Sequence, residues 1–215
     1  MIEIVPAILV KTRNELEQRF REVEPYVNRI QIDIMDGKFV PNKTIQPEDM
    51  ALFKTKLIKE AHLMVEDNEK YVDDFLNLDF DMIIVHIESC RDVDGIIKKV
   101  KDRRKKIALA LNPSTSLSLL KDYLDDLDMV LLMTVNPGFS GQGFIPEVLS
   151  KIKQLRRMKK GLDIEVDGGI NKENAKLVAE AGANILVSCS GIFKFEDKKK
   201  AIESMKKEAM IASKD

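Results

Sequence analysis

The sequence predicts a single (β/α)8 barrel, the TIM-barrel class of α/β fold. Short segments rich in Ile, Val, Leu and Met recur along its 215 residues, and longer charged segments with apolar residues at helical spacing separate them. The alternation repeats eight times with no gap longer than a loop, which is the number of units that closes a barrel. We therefore expect residues 1–215 to form one domain. An open doubly wound sheet is the alternative, but residues 7–10 lack the glycine-rich turn typical of that fold.

The individual elements follow from the apolar runs, taken in chain order. Glu3 and Pro6 interrupt the first run, which favours a strand over a secretion signal. The basic run at residues 103–106 is interpreted as the solvated end of a helix before a buried strand. The predicted strands are residues 2–6, 29–33, 58–65, 82–86, 107–111, 129–134, 164–167 and 185–188. The predicted helices are residues 14–23, 48–56, 69–78, 92–103, 117–124, 146–158, 172–181 and 197–210.

The composition argues against several classes of protein. Hydrophobic residues make up 44% and charged residues 33%, which is ordinary for a globular protein. Because 35 basic residues balance 36 acidic ones, no net field favours nucleic acid or an anionic membrane. No apolar run approaches the roughly 20 residues that span a bilayer. The two cysteines, Cys90 and Cys189, lie far apart and fit a reduced, cytoplasmic setting. We expect a homo-oligomer that binds neither nucleic acid nor membrane.

Two aspartates end apolar strands, where a carboxylate is costly to bury. Asp33 ends the second predicted strand and Asp167 the seventh, three steps apart around the ring, so they should face each other across the barrel mouth. A carbon between them could lose a proton to one carboxyl and gain one from the other on the opposite face, which inverts a stereocentre beside a carbonyl. The resulting negative charge needs a metal or hydrogen-bond donors, and His62 could be a ligand. Structural aspartates and a core histidine are the alternative.

Small residues fill the loops after the last three strands. Residues 136–143 contain three glycines and a proline, so they cannot extend either neighbouring element and are expected to form a mobile lid. The loops after strands seven and eight occupy the usual barrel position for a phosphate held by backbone amides, although glycines there could merely make tight turns. The residues concerned are Gly168, Gly169, Ser190 and Gly191.

Four further side chains lie at strand ends. Met35, Met64 and Met133 cluster at three of them, where plain core filling is the alternative to contact with a ligand. His86 ends the fourth strand, but none of its sequence neighbours indicates a chemical role, and we expect it to be structural.

Residues 33–42, 62–65, 136–142 and 165–169 together resemble the ribulose-phosphate 3-epimerase family, including its allulose-6-phosphate 3-epimerase branch. The similarity covers nearly the whole chain and implies a barrel of the ribulose-phosphate-binding type. It implies a phosphorylated ketose as substrate, interconversion of D-ribulose 5-phosphate and D-xylulose 5-phosphate, and a cytoplasmic enzyme of carbohydrate metabolism.

The resemblance also implies roles for individual residues. Asp33 and Asp167 would be the acid–base pair and, with His62, would bind a divalent metal such as Zn, Fe, Mn or Co. The three methionines would line the substrate site. Phosphate would be held or covered by Gly138, Phe139, Ser140, Gly141, Gly168, Gly169, Ser190 and Gly191.

Three positions depart from the family pattern. Gln31 replaces a histidine that would be the fourth metal ligand, and an amide binds these metals less well than imidazole does. Ala7 replaces a serine that would touch substrate, and Cys189 replaces a glycine. We therefore expect weak metal binding, below one equivalent in purified protein, that Gln31→His would strengthen.

Three functions from different classes remain open on the sequence. The leading one is a sugar-phosphate 3-epimerase, acting on a pentulose phosphate or on a ketohexose 6-phosphate such as allulose 6-phosphate. A non-catalytic sugar-phosphate binder with a decayed metal site is the second, although it would gain little from two opposed carboxylates. The third is a barrel lyase of the orotidine-phosphate decarboxylase and hexulose-phosphate synthase group, but residues 34 and 35 after Asp33 supply no lysine of the kind that group requires.

Overall fold

The predicted (β/α)8 barrel is confirmed in a computed structural model that describes residues 2–50 and 53–211. The strands are β1 (Glu3–Ile8), β2 (Arg29–Met35), β3 (Ile58–Met64), β4 (Met82–His86), β5 (Lys106–Leu111), β6 (Met129–Met133), β7 (Asp163–Asp167) and β8 (Ile185–Ser188). Each strand pairs in parallel with the next, and β8 pairs with β1, where Glu3 lies opposite Ile185. The barrel is therefore closed, and its strand ends form one rim.

Helices return the chain between most strands. They are α1 (Arg13–Val23), α2 (Asn68–Asn77), α3 (Val93–Asp102), α4 (Val148–Met158), α5 (Lys172–Ala181), α6 (Ser190–Phe193) and α7 (Lys198–Ile211). Side-chain caps fix several starts: Thr12 and Glu15 form a reciprocal capping box at α1, and Asn171 caps α5. Within the residues described, no helix combines the length and apolar character that a membrane span needs.

Two predicted helices are wrong. The described part of residues 48–56 has only a 3-10 helix, Pro47–Met50, and the Thr55 hydroxyl accepts a hydrogen bond from the Leu57 amide, a local turn that competes with helix. Residues 51 and 52 lie outside the described residues. The segment predicted as helix 117–124 forms the 3-10 helix Leu117–Leu120, because its backbone bonds mostly span three residues.

Three smaller elements were not predicted. They are α6 and the 3-10 helices Glu24–Tyr26 and Ile87–Ser89. Each is three or four residues long, too short to give a periodic signal in the sequence.

Strand alternation places polar groups inside the barrel. In β2, Ile30, Ile32 and Ile34 are fully buried in the main apolar cluster together with helix residues such as Leu16 and Phe75. The alternate residues of β2 therefore point inward, and the same period of two turns the polar residues of β3 and β7 toward the barrel axis. The sequence thus builds an apolar outer layer and a mixed inner layer, in which the polar residues of β2, β3 and β7 lie beside apolar residues of the other strands.

Candidate active site

Three strands bring two carboxylates and an imidazole to one point at the carboxyl end of the barrel. Asp33 of β2 lies opposite His62 of β3 in the strand register, and Asp167 ends β7. His62 Nδ1 is 3.1 Å from Asp33 Oδ1 and 3.5 Å from Asp167 Oδ2. One ligand atom from each residue lies within 4.8 Å of the others. The three residues predicted for the acid–base and metal roles are therefore neighbours in space.

Burial controls the ionisation of this group. Burial raises the pKa of the Asp33 carboxyl, and the charge of Asp167 raises it further, while hydrogen bonds from His62 and Gln31 oppose the rise. Burial disfavours the imidazolium of His62, but hydrogen bonds with Asp167 and Asp33 outweigh this and raise the pKa of His62 to about 9. Burial therefore sets the direction of the shift at Asp33, and the two aspartates set it at His62.

Gln31 lies in the middle of the three groups. Its amide Nε2 donates to Asp33 Oδ1 at 2.9 Å and to Asp167 Oδ2 at 2.8 Å, and it is 3.3 Å from His62 Nδ1. The side chain is fully buried, and its Oε1 has no hydrogen-bond partner among the described residues. The sequence leads us to expect an amide oxygen as a weak ligand at this position, whereas the structure turns the amide nitrogen toward the carboxylates.

The donor atoms fit a divalent cation. Two carboxylate oxygens and one imidazole nitrogen form a ligand set typical of catalytic metal sites, which use three protein ligands and leave further positions for water or substrate. The same Gln31 side chain that bridges the two carboxylates also has a buried, unpartnered acceptor in its Oε1. Asp33, His62 and Asp167 are accordingly the residues that would hold the ion.

A chain of hydrogen bonds leads from this group to the loop after β5. His62 Nε2 is 2.9 Å from His86 Nε2, and the ring centroids, 5.1 Å apart in planes that differ by 20°, fit an edge-to-edge contact. His86 Nδ1 is 3.3 Å from Glu88 Oε2, and Glu88 also accepts from the Asn112 amide and the Thr115 hydroxyl. Sequence reasoning gave His86 no chemical role and did not consider Glu88.

The protonation states along this chain follow from its contacts. Burial and the charge of His62 lower the pKa of His86 to about 4, although Glu88 opposes this, so its ring is neutral at pH 7. Burial would raise the pKa of Glu88, but hydrogen bonds from His86, Thr115 and Asn112 lower it to about 2. A neutral His86 donates from Nδ1 to the Glu88 carboxylate and accepts at Nε2 from the proton on His62 Nε2. That arrangement leaves His62 Nδ1 facing the two aspartates.

A cavity opens above the carboxylates. Twelve of the predicted site residues line it: Asp33, Met35, Met64, Met133, Gly138, Phe139, Ser140, Gly141, Asp167, Gly168, Gly169 and Ser190. The other four, Ala7, Gln31, His62 and Gly191, are not in its lining. Ala7 is buried among the inward-facing residues of the barrel, and Gly191 packs where a Cβ would be 2.4 Å from Ser188 Oγ. Leu9 and Cys189 line the cavity without having been predicted to do so.

The loop of residues 136–143 covers one side of this cavity. Asn42 Nδ2 donates to the Gly138 carbonyl at 2.8 Å, and Phe139 is 55% exposed at the rim. Gly169, at φ +66°, approaches the loop so closely that a Cβ there would lie 2.9 Å from Gln142 O and Phe144 N. The loop after β7 therefore supports the loop after β6.

Comparison with known proteins places this geometry in a family. Residues 3–193 match the sequence model of the Ribulose-phosphate 3 epimerase family. The ribulose-phosphate 3-epimerase of Bacillus subtilis (strain 168) is 44% identical over 214 residues, covering 96% of this chain and 99% of the relative. The ribulose-phosphate 3-epimerase of Methanocaldococcus jannaschii is 40% identical over 219 residues, covering 99% and 93%.

A solved structure gives the same fold at low identity. The crystal structure of KGPDC from Streptococcus mutans superposes with a TM-score of 0.76 at 15% identity, and the match covers 99% of each chain. Likeness at that identity speaks for the barrel alone. The family model and the two relatives match most of the chain, and the relatives do so at 40% identity or more. These matches show that the chain belongs to the ribulose-phosphate 3-epimerase family.

Proposed function

We propose that this chain interconverts D-ribulose 5-phosphate and D-xylulose 5-phosphate, with Asp33 and Asp167 as the two proton-transfer groups. The observation that carries the proposal is the placement of two carboxylates from β2 and β7 around one point beneath an open cavity. Inversion at a carbon beside a carbonyl needs a proton acceptor on one face and a proton donor on the other. The names of the relatives, ribulose-phosphate 3-epimerase, support the same reaction.

The proton steps balance between the two aspartates. One carboxylate removes the proton from C3, which leaves an enediolate, and the other carboxyl group returns a proton to the opposite face of C3. In one direction Asp33 begins as the protonated donor and Asp167 as the acceptor, and the roles exchange in the reverse direction. After one turnover one aspartate has gained a proton from C3 and the other has given one to C3, so the pair as a whole has the same number of protons.

A divalent cation is the proposed cofactor. Held by Asp33, His62 and Asp167, it would supply positive charge beside the oxygens of the enediolate when bound. Zn, Fe, Mn and Co all suit a mixed oxygen and nitrogen ligand set. The hydrogen bond from His62 to His86 keeps the ring oriented toward the aspartates.

The substrate phosphate would bind at the loops after β6, β7 and β8. Glycines at positive φ, such as Gly138 and Gly168, bring backbone close to the cavity without an intervening side chain. Ser190 begins a helical turn beside them. The full set proposed for phosphate is Gly138, Phe139, Ser140, Gly141, Gly168, Gly169, Ser190 and Gly191, of which all but Gly191 line the cavity. Met35, Met64 and Met133, which also line it, would pack against the carbon chain.

The test is an epimerase assay of purified protein with two substrates, ribulose 5-phosphate and allulose 6-phosphate, in chelator and with added Zn²⁺ or Mn²⁺. The proposal expects turnover of the five-carbon substrate that added cation stimulates. Turnover of the six-carbon substrate alone would replace the pentulose assignment with the ketohexose one. Tight binding of either sugar phosphate without turnover would identify a non-catalytic binder and contradict the proposal.

A further inference from the structure

The Gln31 amide donates to the carboxylate oxygens of Asp33 and Asp167 that a cation would bind. A primary amide carries two N–H donors, and the Nε2 contacts with Asp33 Oδ1 and Asp167 Oδ2, at 2.9 and 2.8 Å, account for both. Nε2 is also 3.3 Å from His62 Nδ1. The amide nitrogen therefore faces all three atoms of the cation ligand set.

This orientation of the amide and a bound cation exclude each other. Ligand oxygens and nitrogens lie roughly 2.0–2.2 Å from a metal such as Zn²⁺, so an ion within reach of all three atoms would overlap the two amide hydrogens. The positive ends of the N–H dipoles would also face the positive ion. Binding of the ion requires the NH₂ group to leave.

The other end of the same amide, the oxygen Oε1, is a lone-pair donor of the kind that the ion requires. Gln31 Oε1 is fully buried and has no hydrogen-bond partner in the part of the chain that is described, a costly state for a polar oxygen. Half a turn about the Cγ–Cδ bond exchanges Oε1 with Nε2 and leaves the rest of the side chain in place. An inward Oε1 would be repelled by the two carboxylates alone, but it is a suitable ligand beside a divalent cation.

We propose that the Gln31 carboxamide is a cation-responsive ligand: its NH₂ group bridges Asp33 and Asp167 when no ion is bound, and its Oε1 turns inward to the ion when one binds. The inference rests on the cation site proposed above. In both orientations the two carboxylates share a central partner of positive character, so their opposed placement is preserved. Gln31 thereby differs from a histidine at the same position, which cannot supply two N–H donors from one atom.

Nuclear magnetic resonance of the side-chain amides tests this directly. Protein labelled with ¹⁵N and ¹³C in glutamine is measured in chelator and after addition of one equivalent of Zn²⁺, which is diamagnetic. Gln31→Glu identifies the Gln31 signals by their loss and keeps the side-chain shape. Gln46 is the internal control, because it is also buried but its Nε2 donates to the carbonyls of Met35, Thr44 and Ile45, away from the ion.

In chelator we expect both Gln31 amide protons to show the downfield shift and slow exchange of hydrogen bonds to carboxylates. With Zn²⁺, both should lose these features and the Gln31 Cδ signal should move, while the Gln46 signals stay in place. Calorimetry on the same sample separates two failures. Absence of Zn²⁺ binding would overturn the cation site together with this inference, whereas Zn²⁺ binding with unmoved Gln31 signals would overturn this inference alone.

Discussion

At the scale of single residues, the hydrogen bonds of His86 and Glu88 set the orientation of the His62 ring. His86 and Glu88 do not line the cavity, yet their hydrogen bonds place a proton on His62 Nε2 and direct Nδ1 toward the aspartates. Histidine ligands of metals commonly depend on such a partner, and its loss costs about 10 to 100-fold in metal affinity or activity. We therefore expect Glu88 to act as a positioning residue, so that its removal lowers the affinity of the site for a cation.

Glu88→Gln tests that role. We expect Zn²⁺ affinity, measured by calorimetry, to fall by about 10 to 100-fold, because a neutral amide no longer fixes His86 as a donor at Nδ1. The control is Glu180→Gln on α5, which loses only a surface pair with Lys176 and should leave affinity unchanged. Equal affinities for Glu88→Gln and wild type would show that the hydrogen-bond chain does not orient His62.

The same substitution has a pH signature. The pKa of Glu88 is lowered to about 2 in the folded protein from an ordinary value of 4.5, so the carboxylate contributes stability above about pH 4.5 that is lost as the pH falls toward 2. Urea unfolding should show Glu88→Gln less stable than wild type at pH 6, with the gap closing between about pH 4.5 and 2. A gap that stays constant over this range would contradict the assignment.

The sequence predicts the site residues whose type is unusual at their position in a strand. It does not predict those whose role depends on a contact with a residue distant in the chain. Asp33 and Asp167 were predictable because a carboxylate at the end of an apolar strand needs a reason. His86 ends β4 in the same way, but its contact with His62 joins residues that are 24 positions apart and depends on strand register. The bridging orientation of the Gln31 amide was equally hidden, because an amide side chain can present either end.

At the scale of elements, the loops after β6 and β7 act as one unit. Gly168 and Gly169 both adopt positive φ, and any side chain on either would meet backbone or side-chain atoms of residues 135–144. The predicted lid is therefore supported from below by the loop that follows Asp167.

Gly169→Ala should displace the lid. Its Cβ would lie 2.9 Å from two backbone atoms of that segment, at a φ that alanine rarely adopts. We expect KM for the sugar phosphate to rise by roughly tenfold, which corresponds to about 1.4 kcal/mol, with a smaller change in kcat. Gly143→Ala is the matched control, because a Cβ there meets nothing within 4 Å. A normal KM for Gly169→Ala would mean that the lid does not depend on this contact.

The strands are the elements that the sequence predicts well. All eight predicted strands agree with the observed bounds to within about two residues, because each is a short run rich in Ile, Val, Leu or Met between more polar segments. The segments after β2 and β5 have helical spacing too, but local hydrogen bonds such as those of Thr55 and Ser116 favour turns and 3-10 helix. Competition of that kind is not visible in hydrophobic periodicity.

At the scale of the whole molecule, the barrel interior has a second layer of ionisable side chains below the site. Glu60 and Glu165 each precede a site residue by two positions, and Arg29 pairs with Glu60 at 2.6 Å and with Glu3 at 3.3 Å. Burial raises the pKa of Glu60 to about 7 despite the opposing charge of Arg29, and it also raises that of Glu165. The charge of one buried cation thus acts on two buried carboxyl groups, Glu60 and Glu165, and on the half-buried Glu3.

Arg29→Met should destabilise the barrel in a pH-dependent way. Leaving the carboxylates unpaired should cost about 3–5 kcal/mol at pH 8 in urea unfolding. Because the pKa of Glu60 is raised to about 7, its protonated form contributes stability to the folded protein that is fully present below about pH 4.5 and is lost as the pH rises through about 7. At pH 5 Glu60 is protonated and needs no cation, so the destabilisation by Arg29→Met should be smaller there than at pH 8.

Lys99→Met is the control for this substitution, because Lys99 pairs with Asp73 on the surface and should lose less than about 1 kcal/mol at either pH. An Arg29→Met loss that is equally small at pH 8 would show that Arg29 does not compensate the buried layer.

The central claim is that Asp33 and Asp167 transfer protons on opposite faces of one carbon. The measurement is turnover of ribulose 5-phosphate in D₂O, with epimer formation and deuterium at C3 followed together for wild type, Asp33→Asn and Asp167→Asn. Asp163→Asn, at the exposed start of the same strand as Asp167, is the control and should behave as wild type.

The wild type should form xylulose 5-phosphate that carries deuterium at C3. Each catalytic variant should lose epimerisation by at least about 100-fold, since a positioned acid–base group contributes about 10²–10⁴-fold. The variant that keeps the carboxylate facing the C3 proton of ribulose 5-phosphate should still exchange that proton for deuterium with retained configuration. Epimerisation at near the wild-type rate in either variant would contradict the two-aspartate account.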